Sequence, residues 1–457
     1  MSKKPTVSGR VDHSAALHVQ NSDDVQANAR TDAGLPETFL TAGRPALREQ
    51  PRPAQDIAAS PRQSDIIPMP DLIVGRDAVR RRVMMLGLRG IPHIQGGVEK
   101  HVEMLAQELS VRGWDVEILA RRRYLSDKRK HSWKGIGVTP LPSPRSHVFE
   151  AFFHTLLGVL YAALKRPDVL HIHAIGPGLF APFARLLGLR VVVTHHGFDY
   201  DREKWNAFGK AVLRVGERLA MRFSNAAIAV SRDVTGKMKR RYAADVTHIP
   251  NGVVVRPSLL ARAALETFDL ERQRYIVMVA RFVPEKRQTD LIAAFSKLHR
   301  PGWKLVLVGG ADHQGSGYAR QVEDMAARVE NVVLAGFQSG DTLAALFSQA
   351  GLFVLPSLHE GMPIALLEAL SYGLPVLASD IAANHEVDLP ADDYFPAGDV
   401  EALTRALQRK VDTPPGPDQA LARIRDIEQN YAWPSICRQT TAVYRAAGAP
   451  DPQRTKA

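Results

Sequence analysis

Two pairs of ionisable residues, each just after an apolar run, are the groups best placed to do chemistry. Arg281-Phe-Val-Pro-Glu-Lys286 follows the run at 275–280. Arginine offers a planar fork for phosphate oxygens and lysine a mobile point charge. Together they could neutralise a diphosphate carrying a charge of about −2. Taken alone, the pair reads equally as ordinary surface cations. The second group, Ser357-Leu-His-Glu-Gly-Met-Pro363, follows the run at 352–356 and leads into a helical pattern from Ile364 to Gly373. Pro363 suits a first helical turn and Gly373 a C-terminal stop. Free amides at that helix start, with Gly361 allowing close approach, could hold an anion or a hydroxyl. Glu360 could accept hydrogen bonds from sugar hydroxyls; otherwise it is a helix-dipole partner. Glu368 lies about 7.5 Å further along the axis than Pro363, among apolar neighbours, where a carboxylate needs a donor. A ribose diol or an internal ion pair would serve.

Histidines form a third group. His171 and His173 lie two apart in a strand pattern and face one side of it, and His195 and His196 follow the next run. A metal cluster is conceivable, but Cys437 is the single thiol and a carboxylate ligand would have to come from elsewhere. His171 reads as a satisfied core residue, and His173, which ends its strand, as a site residue. Asp199-Tyr200-Asp201 is a D-x-D, a metal-binding pattern common enough by chance to carry little weight. The fingerprints of dinucleotide oxidoreductases, P-loop ATPases and serine hydrolases do not occur.

These residues need a scaffold, and the apolar pattern supplies one. Short Val/Ile/Leu runs at 82–87, 115–120, 168–172, 190–194 and 226–230 alternate with amphipathic segments such as 98–112. A second series runs through 275–280, 304–308, 331–335, 352–356 and 375–379, with a helix expected at 287–299. Runs without strict alternation are typical of parallel strands buried on both faces. Strand–helix–strand repetition implies open parallel sheets, whose ligands bind beyond the carboxyl ends of the strands. The expectation is α/β: two doubly wound, Rossmann-like domains facing a cleft, at 80–252 and 253–431. A helix at 432–446 would cross back to the first. Residues 1–79, with 8 of the 30 prolines and little periodicity, read as a disordered leader, and 447–457 as a disordered tail.

The chain has 457 residues, of which 59 are Lys or Arg against 48 Asp or Glu, a net charge of +11. Residues 121–134 hold 7 basic residues against 1 acidic, and 202–241 hold 11 against 3. Such clusters suit an anionic partner or simply a solvated face. One cysteine excludes an internal disulfide and a CxxC site, and fits a reducing compartment. No apolar run approaches the roughly 20 residues of a membrane span. Phe149–Leu164 is strongly apolar but short, and core packing is its expected fate, with a helix lying on a membrane as the alternative.

The spacing Glu360-x7-Glu368 after a strand, with Arg281-x4-Lys286 half a domain earlier, resembles the nucleotide-sugar site of family 4 retaining glycosyltransferases of the GT-B fold, of the bacterial polysaccharide-biosynthesis type. Gly87-Leu-Arg-Gly-Ile-Pro-His-Ile-Gln-Gly-Gly-Val-Glu99, Asp168-Val-Leu-His-Ile-His173, Thr194-His-His-Gly-Phe-Asp199, Ile249-Pro-Asn-Gly-Val253 and Ala335-Gly-Phe337 extend the likeness over about residues 80–446. It departs at Ala280 and Arg287, where the family usually and often, respectively, has glycine. The resemblance implies roles at matching positions. Gly96 and Gly97 would admit the donor diphosphate to backbone amides, and Arg281 and Lys286 would hold it. Glu360 would contact the donor sugar, near Gly361, Met362 and Pro363. Glu368 would bind the ribose, Phe337 would border the base, and His173 would lie near the transferred sugar.

The function then expected is hexosyl transfer, with retention, from a nucleoside-diphosphate sugar to a polyprenyl-diphosphate-linked oligosaccharide in exopolysaccharide or cell-surface polysaccharide synthesis. The enzyme would be cytoplasmic and peripheral to an anionic inner membrane, with no cofactor, no metal requirement and no nucleic-acid partner. A sugar-nucleotide epimerase or phosphorylase of the same fold is one alternative. A non-catalytic nucleic-acid-binding protein is another, lacking any recognised module.

Overall fold

The computed structural model describes residues 81–144, 149–202, 205–255, 262–311, 317–413 and 416–449. They belong to one compact unit, Ile73–Ala457. The expected leader 1–79 and residues 450–457 lie outside the described residues.

The first lobe runs β1 (Arg82–Leu86), α1 (Gly97–Val111), β2 (Asp115–Arg121), β3 (His131–Trp133), β4 (Ile136–Leu141), α2 (Phe149–Lys165), β5 (Val169–His173), α3 (Ala181–Leu186), β6 (Val191–His195), α4 (Ala207–Phe223), β7 (Ala226–Ala229), α5 (Arg232–Tyr242) and β8 (Val246–His248). The second runs α6 (Arg262–Thr267), β9 (Tyr275–Val279), α7 (Gln288–Phe295), β10 (Lys304–Val308), α8 (Gly317–Ala326), β11 (Val332–Gly336), α9 (Gly340–Ser348), β12 (Leu352–Leu355), α10 (Ile364–Ser371), β13 (Val376–Ser379), β14 (Tyr394–Phe395), α11 (Val400–Asp412) and α12 (Pro417–Tyr431). The last helix, α13 (Trp433–Ala446), packs its Trp433, Ile436 and Tyr444 into the first lobe beside α1.

The first sheet has strand order β3-β4-β2-β1-β5-β6-β7-β8 and the second β11-β10-β9-β12-β13-β14. All described pairings are parallel except β3 with β4. Strands such as β5 are buried at every residue, as runs of Val, Ile and Leu covered on both faces should be. Each sheet therefore has two apolar layers. Side-chain caps fix several helix starts: Asn206 accepts from the Gly209 amide, Ser231 from Val234 and Asp399 from Ala402.

In both sheets the chain order reverses about one strand. β1 lies between β2 and β5, and β9 lies between β10 and β12. A crevice opens at each such point, beyond the carboxyl ends of the strands. The loops leaving β1, β9 and β12 carry the glycine-rich segment, the Arg281–Lys286 turn and the Glu360 turn, and His173 ends β5.

Three expectations need correction. The helix expected at 287–299 stops at Phe295. Ala447 and Ala449, expected in the disordered tail, are instead buried against the first lobe, and the Ala449 amide bonds to the Tyr444 carbonyl. Phe149–Leu164 is not simply core. Val159 and Ala162 are buried, but Phe149, Phe153 and Leu164 are exposed on the opposite face. The basic run 121–134 holds the edge strand β3, which the apolar pattern did not reveal. Cations along an edge keep it from pairing with other chains.

Candidate active site

A cavity of about 1450 Å³ lies between the lobes. That exceeds an ordinary ligand pocket of about 300–1,000 Å³ and leaves room for two substrates. Gly96, Gly97, Arg281, Lys286 and Phe337 line it, as do Glu360, Gly361, Met362, Pro363 and Glu368. His173 does not. It is fully buried, and its Nδ1 lies 3.1 Å from Nε2 of His196, which does line the cavity.

On the first-lobe side, the loop after β1 ends in α1, whose start at Gly97 has no side-chain cap. An uncapped helix start can present backbone amides to a ligand. Arg89 shapes this loop: its backbone N and Nε both bond to Glu99, at 3.2 and 3.0 Å, and its guanidinium also donates to the Gln95 carbonyl. Burial pushes the Glu99 carboxyl up, but the Arg89 charge and hydrogen bonds outweigh it, and the pKa ends below the usual value. A Cβ at Gly96 would lie 1.9 Å from the Glu99 carboxylate. Gly96 is thus required by this ion pair as well as by any ligand.

On the second-lobe side, Lys286 sits in a short 3-10 turn after Pro284, and its Nζ bonds to Glu360. The side chains are 17% and 10% exposed. Burial lowers the Lys286 pKa and the Glu360 charge opposes the fall. The Leu358 amide donates to the Glu285 carbonyl at 2.9 Å, so the two turns are also joined through their backbones. Arg281 follows β9, its carbonyl held by Gln288 Nε2 at 2.8 Å. Pro363 occupies the N-cap position of α10, just before the first turn expected for it. Glu368 is partly buried and lies 4.0 Å from Lys100 of α1, across the gap.

Four residues complete the site that the sequence reading did not assign. Arg202 lies 3.1 Å from Asp199 and 3.9 Å from Glu285. The charge of Asp199, helped by Glu285, Glu360 and Glu99, raises its pKa. The D-x-D aspartate Asp199 is thus an ion-pair partner. Asn251 joins the lobes: its amide nitrogen Nδ2 donates to the Met362 carbonyl at 3.0 Å, and its Oδ1 lies 2.9 Å from His101 Nδ1. His101 and His196 are in edge contact, with ring centroids 4.9 Å apart. Arg202, Asn251 and His196 were visible only as part of a cluster or motif, and His101 only as one residue of the amphipathic segment 98–112. Their convergence depends on strand register and on the lobe contact, neither of which has a local signature.

Among the described residues, His101, His173 and His196 bring ring nitrogens within 4.8 Å of one another. His195 faces away, its Nε2 on Glu217 at 3.0 Å. His171 bonds to Tyr444 and Thr194, both at 2.7 Å. Burial lowers the pKa of His101 to about 4 and of His171 to about 3, and puts His173 and His196 well below the usual value. These imidazoles are neutral at pH 7. Of the four, His196 lines the cavity and offers it hydrogen bonds without charge.

The lobes touch at Gly197 and Gly361. A Cβ at Gly361 would lie 1.8 Å from the His196 carbonyl oxygen. One at Gly197, whose φ is +124°, would lie 2.8 Å from Gly361 Cα. Side chains at this point would force the lobes apart.

Among the described residues, no helix is long and apolar enough to cross a membrane.

Comparison with known proteins agrees with this architecture. Residues 95–256 match the family described as Glycosyltransferase Family 4, and residues 266–424 match Glycosyl transferases group 1. Glycogen synthase of Mycobacterium tuberculosis is 25% identical over 401 residues, 80% of this chain and 95% of its own. The UDP-Gal:alpha-D-GlcNAc-diphosphoundecaprenol alpha-1,3-galactosyltransferase of Escherichia coli is 29% identical over 271 residues, 55% of this chain and 69% of its own. Sucrose-phosphate synthase of Thermosynechococcus elongatus superposes with a TM-score of 0.70 at 22% identity, covering 80% of this chain and 98% of its own. Two facing Rossmann-like lobes and the paired family matches lead to one assignment: the chain belongs to the family 4 glycosyltransferases of the GT-B fold and is a hexosyltransferase.

Proposed function

We propose that the protein moves a hexose, with retention of configuration, from a nucleoside-diphosphate sugar to a polyprenyl-diphosphate-linked oligosaccharide during assembly of a cell-surface polysaccharide. The observation that carries this reading is the convergence of Arg281, Lys286, Glu360 and Glu368 on one cavity, opposite the uncapped start of α1. Cations and amides suit the diphosphate, carboxylates suit hydroxyls, and the neutral His196 suits an uncharged sugar.

In the proposed reaction the donor separates Lys286 from Glu360. The ammonium turns to the diphosphate and the carboxylate to the sugar hydroxyls. As the glycosidic C–O bond breaks, negative charge grows on the departing diphosphate, and Arg281, Lys286 and the amides of the Gly97 turn stabilise it. The acceptor hydroxyl attacks from the same face and its proton passes to a diphosphate oxygen. No side-chain nucleophile takes part, and protein cations do the neutralising, so chemistry needs no divalent metal. His173 acts behind His196, fixing its ring toward the sugar. Glu368 and Phe337 hold the ribose and the base. The lipid-linked acceptor is supported by the name of the Escherichia coli relative and by the cations of the first lobe. We place the enzyme in the cytoplasm, peripheral to the membrane.

The test is donor turnover by wild type, Arg281→Ala and Glu360→Gln against UDP-, GDP- and dTDP-sugars, with and without EDTA. Loss of turnover in both variants, with EDTA indifferent, is expected. Full activity in both would remove the site assignment, and abolition by EDTA would remove the metal-free mechanism.

A further inference from the structure

Helices α2, α3 and α4 cover one face of the first sheet, their Val159, Ala184 and Ala220 sharing an apolar layer. Their outer surface breaks the usual rule. A helix on a protein surface shows polar residues to water, yet α2 presents Phe149, Phe153, Leu160 and Leu164. At 100° per residue these four fall within one narrow stripe. Leu164 is 83% exposed, Leu186 at the end of α3 is 82% exposed and Phe208 at the start of α4 is 72% exposed. Exposed apolar groups concentrated on one surface mark an interaction site.

Charge identifies the partner. The acids of α2, α3 and α4 are Glu150 and Glu217, and both are buried. The exposed bases are Lys165, Arg185, Arg214, Arg218 and Arg222. On α4, Arg218 and Arg222 share the outward face with Phe208 and Val215. Aromatic and leucine side chains interspersed with uncompensated cations match the interface of an anionic bilayer. A protein partner would call for polar complementarity at the rim. The surface also runs into the cavity, because Phe149, Phe152 and Phe208 line its mouth.

We propose that the α2–α3–α4 face docks on an anionic phospholipid bilayer, with Phe153, Leu160, Leu164, Leu186 and Val215 entering the interface and Arg218 and Arg222 meeting phosphate headgroups. This seats the mouth of the cavity at the membrane surface. The inference rests on the reading of a lipid-linked acceptor, which it deepens by naming the surface that meets the lipid.

The experiment is co-sedimentation of the full chain with vesicles of phosphatidylcholine alone and of equimolar phosphatidylcholine and phosphatidylglycerol, without donor. Wild type should bind the anionic vesicles and release in high salt. Arg218→Ala with Arg222→Ala should weaken partition roughly 30-fold, since each cation near such a surface contributes about fivefold. Leu164→Glu with Leu186→Glu should abolish binding while circular dichroism and donor turnover in detergent-free buffer stay at wild-type level. Absence of wild-type binding, or unchanged binding in both double variants, would overturn the proposal. So would a shift of the leucine variant from dimer to monomer on a sizing column, which would make the face an interface between copies. Donor turnover is read separately from vesicle binding. Failure of the transferase reading therefore shows as lost turnover with binding intact, and failure of docking as the reverse.

Discussion

The two lobes are built on one plan and use it differently. Each is a parallel sheet whose chain order reverses about one strand, and each sends its functional loops from that point. The second lobe meets the cavity with charge: Arg281, Lys286, Glu360 and Glu368, in two short turns and one helix. The first meets it with the start of α1, the uncharged His196 and charges already paired, Arg89 with Glu99 and Arg202 with Asp199. In the proposed reaction the work of neutralising the diphosphate falls to the second lobe, and His196 faces the sugar. A hexose carries no charge, so an ionised wall there would raise a desolvation cost without a partner to offset it.

The most severe way to break this contrast is to remove a cation from the second lobe. Lys286→Ala should lower turnover by about 10²–10³-fold, the usual cost of losing one group that stabilises developing charge. Steady-state kinetics with excess donor would read it, and a loss under tenfold would mean that the lysine merely pairs with Glu360. Next comes the meeting point of the lobes. Gly361→Ala places a methyl against the His196 carbonyl, and a displacement of that size should cost about a hundredfold in turnover. Binding of UDP alone, measured by calorimetry, should change little, since the proposed nucleotide contacts are on the second lobe. Equal loss of both would show that the lobes do not divide the work.

The histidine group sharpens the contrast through pH. His101 and His171 titrate near 4 and 3 when folded, against 6.5 for the free side chain. The unfolded chain therefore takes up protons first as pH falls below 6.5. Stability is independent of these groups above that pH and declines as pH drops toward 4. Each contributes a slope of about 1.4 kcal/mol per pH unit. Urea melts between pH 7 and 4.5 should show it, and His171→Asn should flatten the slope by one histidine. A slope unchanged in that variant would mean that buried His171 is not held neutral. The smallest expected effect is at Phe337, half exposed at the rim. Phe337→Ala should weaken nucleotide binding by on the order of 1 kcal/mol, the scale of one aromatic stacking contact.

The second lobe was the more legible in sequence for the same reason that it is charged. Arg281 and Lys286, and Glu360 and Glu368, lie close together in the chain and directly after strong apolar runs, so their convergence needs little tertiary information. Asn251, His196 and His101 meet only after three elements of the first lobe and the turn at Met362 are assembled, and no spacing announces that. Arg202 looked like one cation in a basic run, although it lies among Asp199, Glu285 and Glu360. The β3 strand is three residues inside a run of cations, too short for alternation to register. Helix α2 misled for a physical reason: a mostly apolar helix reads as buried, yet its polar Glu150, His154 and Thr155 face the protein while Phe149, Phe153 and Leu164 face water.

The chain passes between the lobes twice, and the two crossings run side by side. The Val253 amide bonds to the Tyr431 carbonyl at 2.8 Å, a bridge joins Val253 to Ala432, and Trp433 packs over Gly252. Beyond the second crossing, α13 supplies Ile436 and Tyr444 to the interior of the opposite half. A chimera assembled by splicing at a single junction would therefore leave that interior without its final helix. Exchange of donor halves between homologous enzymes, in the laboratory or in evolution, requires paired breakpoints, one at each strand of this double seam.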